Sequence, residues 1–129
     1  MGGRLVAGRW HSRGRPIVYM ADSSALAMLE VLVHLEVEAI PPCFQLMRIE
    51  GPDALAFTEP AAADLIGPDT MRSWGDAWLA AGRTALARVP SRIAPHGFNW
   101  LLNPEHRAAA ALQVTATGRW PWDERLFRR

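Results

Sequence analysis

Asp22-Ser23-Ser24-Ala25-Leu26-Ala27-Met28-Leu29-Glu30-Val31-Leu32-Val33-His34-Leu35 is the stretch from which the fold class is read. Asp22-Ser23-Ser24 offers N-cap residues, and Ala25 to Leu35 follows with strong helix formers and neither Gly nor Pro, which predicts a helix. Leu26, Leu29 and Val33 recur at helical spacing. Met28, Val31, Leu32 and Leu35 fill most other directions, so the pattern predicts a central helix enclosed nearly all round. Just upstream, Ile17-Val18-Tyr19-Met20-Ala21 is a short β-branched and aromatic run that reads as a strand. Ser12-Arg13-Gly14-Arg15-Pro16 is a turn-rich pentad, and with Leu5 to His11 it completes an expected hairpin. Centring the turn on Gly14 sets Arg9 opposite Tyr19 on one face, because side chains alternate with period two.

Downstream, Pro41-Pro42 ends the first helical segment, Cys43 to Ile49 reads as a strand, and Leu55 to Thr58 as a short extended piece. Asp69 or Thr70 is expected to cap a second, amphipathic helix running to about Ala85. Trp74 and Trp78 lie four apart on one side of it, and Gly75 and Gly82 weaken it. Strand-like pieces follow at Ala87 to Val89, Arg92 to Ala94, Phe98 to Leu102 and Leu112 to Thr117, with Asn103-Pro104 opening a short Ala-rich turn. Many short strands with two helices predict an α+β domain, not a doubly wound sheet.

With 129 residues, half of them apolar, the chain fits a single domain spanning 1–129. Fourteen cationic residues, all Arg, face thirteen acidic ones, and a net charge of +1 argues against general nucleic-acid binding. One Cys excludes an internal disulfide framework. Four scattered His without Cys-x-x-Cys or His-x3-His spacing make a metal site unexpected. Neither a signal peptide nor a membrane-spanning run is visible, so a cytoplasmic protein without a membrane role is expected. No Gly-rich phosphate loop of the P-loop or Rossmann type occurs.

Four positions stand out as carriers of chemistry. Glu30 is the one formally charged residue between Asp22 and His34, set among aliphatic neighbours. A buried carboxylate must be paired, solvated by a cleft or kept for function, and an internal ion pair with an Arg or with His34 weighs evenly against a functional role. Arg9, between Gly8 and Trp10, either holds an anion with its fork or is a surface cation. Tyr19, the sole Tyr, either stacks on a ligand ring or packs at a strand edge. Ser91, between Pro90 and Arg92, either bonds a ligand or caps a turn.

Gly8-Arg9-Trp10-His11-Ser12-Arg13-Gly14, Ile17-Val18-Tyr19-Met20-Ala21 and Ala25 through His34 together closely resemble the RES domain, named for an Arg, a Glu and a Ser. Val89-Pro90-Ser91, Asn99-Trp100-Leu101-Leu102-Asn103-Pro104-Glu105-His106 and Trp122-Asp123-Glu124-Arg125-Leu126 extend the resemblance over nearly the whole chain. By that resemblance Arg9, Glu30 and Ser91 are the name-giving residues and Tyr19 is an active-site tyrosine. It also implies a fold similar to ADP-ribosylating toxins, and a bacterial toxin of a type II toxin–antitoxin pair that consumes NAD. Members are described as NAD phosphorylases or glycohydrolases, and some as ADP-ribosyltransferases. The implied partners are NAD, phosphate or water as an acceptor, and an Xre-like helix-turn-helix antitoxin that blocks the NAD site; six Trp in a small domain suit either a homodimer within that complex or antitoxin docking. Two departures are evident: the family's most N-terminal strand is expected to be lacking, and His11 stands where the family usually has Asn.

The resemblance and the residues agree on a scheme in which Arg9 would hold the NAD pyrophosphate, Tyr19 would pack against the nicotinamide side, Glu30 would stabilise the developing oxocarbenium ion or position the attacking group, and Ser91 would hydrogen-bond ribose or carboxamide. Competing expectations are a mono-ADP-ribosyltransferase acting on a protein, a non-catalytic interaction module, and, last, an RNA-cleaving toxin. The near-neutral charge balance argues against the last of these.

Overall fold

The computed structural model describes residues 10–12 and 14–128. Among the described residues, eight elements carry the fold: β1 (Val18–Ala21), α1 (Ser24–Leu32), β2 (Cys43–Glu50), β3 (Phe57–Thr58), α2 (Pro68–Ala81), β4 (Leu86–Pro90), β5 (Phe98–Leu102) and β6 (Gln113–Pro121). Short 3-10 turns join several of them. The architecture is α+β, as many short strands with two helices predict.

One sheet has the order β1-β5-β4-β3, antiparallel except for the β3–β4 pair, and β2 with β6 forms a separate two-stranded sheet. Tyr19 stands opposite Leu101, which stands opposite Ala87; Ala21 stands opposite Asn99, which stands opposite Val89. Cross-strand partners share a face, so Tyr19, Ala21 and Asn99 lie on the same side of the sheet as Leu101, Val89 and Ala87. Those three are completely buried, which identifies this side as the core side. α2 closes it with Met71, Trp78 and Leu79, joined by Trp10 and Ile17. Trp74 stacks parallel to Trp78 with ring centroids 6.5 Å apart and meets Trp10 edge-on at 5.9 Å. The expected pairing of two tryptophans four residues apart on α2 is therefore present.

Several boundaries differ from the sequence expectation, each for a local reason. α2 starts at Pro68, earlier than Asp69 or Thr70, because proline fits the first helical position. Thr70 instead bonds back, its Oγ1 accepting from Gly67 N at 3.1 Å. The helix stops at Ala81 because Gly82 adopts a left-handed φ of 59° and donates its N–H to Trp78 O. Gly75, expected to weaken α2, makes it fit: a Cβ there would fall 1.5 Å from Trp10 O. Arg92 to Ala94 forms a turn and not a strand, since Ser91 Oγ accepts the N–H groups of Ile93 and Ala94 and draws them away from any ladder. β6 runs on to Pro121 beside β2, with a register shift at Arg48/Ile49.

The first helix is also placed differently from its pattern. Ser23 caps α1, its Oγ accepting from Leu26 N at 3.1 Å. Only Leu26 of α1 is buried, whereas Leu29, Val31 and Val33 are 41%, 48% and 55% exposed. The expected near-complete enclosure is corrected: α1 forms the wall of a cleft. Apolar side chains in most directions signal full burial only when every direction meets protein. Of the expected hairpin's first arm, residues 5–9, Arg9 among them, lie outside the described residues. Among those described, the partner of β1 is β5.

Candidate functional site

Only Asp22 and Ser23 separate β1 from α1, so the chain turns back sharply at the end of the sheet. Asp22 fastens that turn to β5, its Oδ2 accepting from Phe98 N at 3.1 Å and its Oδ1 from Trp100 Nε1 at 2.8 Å. α1 therefore starts beside the first residues of β5. Ala27 lies three and four residues before Glu30 and Val31 on one face of α1, and that face, with His34 in the turn after the helix, lines a cleft of about 840 Å³. Tyr19 and Ala21 of β1, Asn99 of β5, Trp10, Arg72 of α2 and Arg92 line the same space. Its size is that of a small-molecule site.

Glu30 is half-buried and is held by neutral groups. Its Oε2 accepts from Asn99 Nδ2 at 2.6 Å and from Ser91 Oγ at 3.1 Å. No cationic side chain among the described residues lies within 4.0 Å of it, so the ion pair with His34, one of the alternatives weighed above, is not formed. Hydrogen bonds aimed at one carboxylate oxygen fix its orientation without neutralising its charge. Such a group suits the stabilisation of a cation developing next to it.

Tyr19 occupies the edge strand on the core side, and it is 42% exposed. Its hydroxyl shares a 2.5 Å hydrogen bond with Nδ1 of the buried His11. Ser12 N and Oγ donate to Asp76 Oδ1 and Oδ2 at 2.6 and 2.5 Å, which ties this segment to α2 one residue past Gly75. Tyr19, Glu30 and Ser91 are thus brought to one place from β1, α1 and the end of β4. Arg9 lies outside the described residues.

Sequence reasoning missed two participants. Asn99 was read as part of a strand and of the resembling motif with no role of its own, although its place opposite Ala21 sets it on the cleft side. His11 carried no expected role, and no local signal marks it as the partner of Tyr19. Among the described residues no three His, Cys, Asp or Glu side chains gather as a metal site would require, and no helix is long and apolar enough to cross a membrane.

Residues 1–123 match the family model described as RES domain. The chain belongs to the RES domain family. A protein of Pseudomonas putida named Toxin Res is 41% identical over 131 residues, covering 98% of this chain and 90% of the relative. The Prs ADP-ribosylating toxin of a Sphingobium species is 35% identical over 141 residues, covering 99% of this RES domain and 85% of the relative. A Toxin Res of Photorhabdus laumondii is 35% identical over 116 residues, covering 80% and 70%.

Proposed function

We propose that this RES domain is a toxin that binds NAD in the cleft, breaks the bond between nicotinamide and ribose, and passes the ADP-ribosyl group to an acceptor. The observation that carries this reading is the Glu30 carboxylate, oriented by Ser91 and Asn99 on the wall of a cleft that Tyr19 also lines. Cleavage of the C1′–N bond leaves its electron pair on nicotinamide and positive charge on the ribose. Glu30 stabilises that charge, at short range and out of bulk water, where the attraction is strong. The acceptor then forms the new bond at C1′ and gives up its proton. Tyr19 packs against the nicotinamide side. Arg9 takes the pyrophosphate with its fork, and Arg72 and Arg92, on the cleft wall, supply further cations for it.

A side chain of a target protein is the favoured acceptor, because a relative at 35% identity over nearly the whole chain is named an ADP-ribosylating toxin. Phosphate or water is the second reading, since the open cleft also admits a small nucleophile. A toxin of this kind requires a restraining partner, and an Xre-like helix-turn-helix antitoxin that covers the cleft fills that role. NAD as substrate sets the reaction in the cytoplasm.

Labelled NAD separates the readings. Label on protein supports transfer to a side chain, whereas free ADP-ribose, or its phosphate when phosphate is supplied, supports a small acceptor. If no nicotinamide is released with or without phosphate and a cell extract, the reading fails.

A further inference from the structure

Tyr19 is the only tyrosine of the chain and stands on β1, at the edge of the four-stranded sheet. It lines the cleft and is exposed there. Two side-chain torsions set where its ring points, and a half-exposed ring on an edge strand has protein on one side only to settle them. The contact that fixes both torsions is at the far end of the ring. There the hydroxyl shares its 2.5 Å hydrogen bond with His11 Nδ1, and the two rings lie 5.5 Å apart, tilted by 49°.

His11 is the immobile end of this bond. Its ring is sealed from solvent, and a buried imidazole keeps its hydrogen-bond partners. Both chain neighbours are locked to α2: Trp10 O lies where a Cβ on Gly75 would be, and Ser12 donates its N–H and O–H to the two oxygens of Asp76. A ligand in the cleft therefore meets His11 only through Tyr19.

We propose that His11 is a positioning residue: it pins the Tyr19 hydroxyl, so that the phenol ring is already held in the orientation in which it packs against the nicotinamide end of the dinucleotide. The inference rests on the NAD reading above and adds to it how Tyr19 is made ready. Ordering one free side chain on binding weakens affinity by roughly twofold to tenfold, and a ring held beforehand avoids that loss. The gain is the same in the ground state and the transition state, so it belongs to binding and not to the chemical step.

The test measures KM and kcat for nicotinamide release from NAD with the wild type, His11→Leu, Tyr19→Phe and the double variant. Either single change removes the bond, so each is expected to raise KM by about fivefold with kcat little altered. The double variant is expected to match either single one, because the bond can be lost only once. His11→Asn carries a hydrogen-bonding atom on its γ carbon, as Nδ1 is carried in histidine, and should restore the wild-type KM. If His11→Leu raises KM as much in the Tyr19→Phe background as in the wild type, His11 acts without the hydroxyl and the proposal is overturned. A second readout needs no turnover. With carbon-13 at the ring carbon that bears the hydroxyl, the sole tyrosine gives one resonance, expected to move in His11→Leu and to return toward its place in His11→Asn. An unmoved resonance overturns the bond. Should His11→Leu fail to fold by circular dichroism, His11→Ala serves in its place with the same criteria. A wild type that releases no nicotinamide from NAD overturns the NAD reading and this role with it; normal turnover with a KM that His11→Leu leaves unchanged overturns the role of His11 alone.

Discussion

The Ser91 hydroxyl donates to Glu30 Oε2 at 3.1 Å while accepting the N–H groups of Ile93 and Ala94, so a single oxygen aims the acid and shapes the turn after β4. The turn-capping reading of this serine and its place in the site are the same fact. Ser91→Ala should therefore cost about 1 kcal/mol of stability, because two half-buried N–H groups lose their acceptor. It should also lower kcat by roughly tenfold to a hundredfold through misplacement of Glu30, with little change in KM. Ser91→Thr, which restores the hydroxyl, should recover most of the rate. A rise in KM alone would place the serine on the substrate instead.

Glu30→Gln retains an oxygen that Asn99 and Ser91 can hold but removes the charge. Nicotinamide release should fall about a hundredfold in kcat, or about 3 kcal/mol of transition-state stabilisation, while the thermal midpoint stays close to that of the wild type. Steady-state kinetics with NAD, paired with a melting curve, checks both halves. Full turnover would remove Glu30 from the chemistry.

Gly75→Ala would drive a Cβ to within 1.5 Å of Trp10 O. The crossing of the Trp10 segment over α2 must then open, at a cost of about 3 kcal/mol, which should lower the midpoint by roughly 10 °C. Because Ser12 is tied to Asp76 next to this crossing and His11 lies between Trp10 and Ser12, activity should fall with stability. Calorimetry and turnover on the same sample test this, and an unshifted midpoint would contradict the close approach.

Arg9→Ala is expected to raise KM for NAD about tenfold with kcat little altered, as befits a charge-assisted contact equally good in the ground and transition states. Isothermal titration with NAD, on a Glu30→Gln background to prevent turnover, reads the affinity directly. Unchanged binding would leave the pyrophosphate to Arg72 and Arg92.

Local chemistry made much of the fold legible. The Ser23 cap, the β1 and β5 runs, the paired tryptophans of α2 and the strand from Cys43 all follow from propensity and periodicity, which depend on neighbours in sequence. Glu30 was conspicuous for the same reason, as one acid among aliphatic residues. The partners of Glu30 were hidden because they lie 61 and 69 residues away, and only sheet register turns Asn99 toward the cleft. The exposure of Leu29, Val31 and Val33 was hidden as well, since an apolar pattern records what a side chain prefers and not whether the fold offers it cover.

The same sequence separation has a kinetic consequence during synthesis. Glu30 leaves the ribosome well before the serine and the asparagine that orient it, and at about 5–20 residues per second the lag is several seconds. A nascent chain or an early-terminated fragment therefore carries the acid without its alignment, and on the NAD-cleaving reading proposed above, harm to the producing cell awaits translation of the region around Asn99.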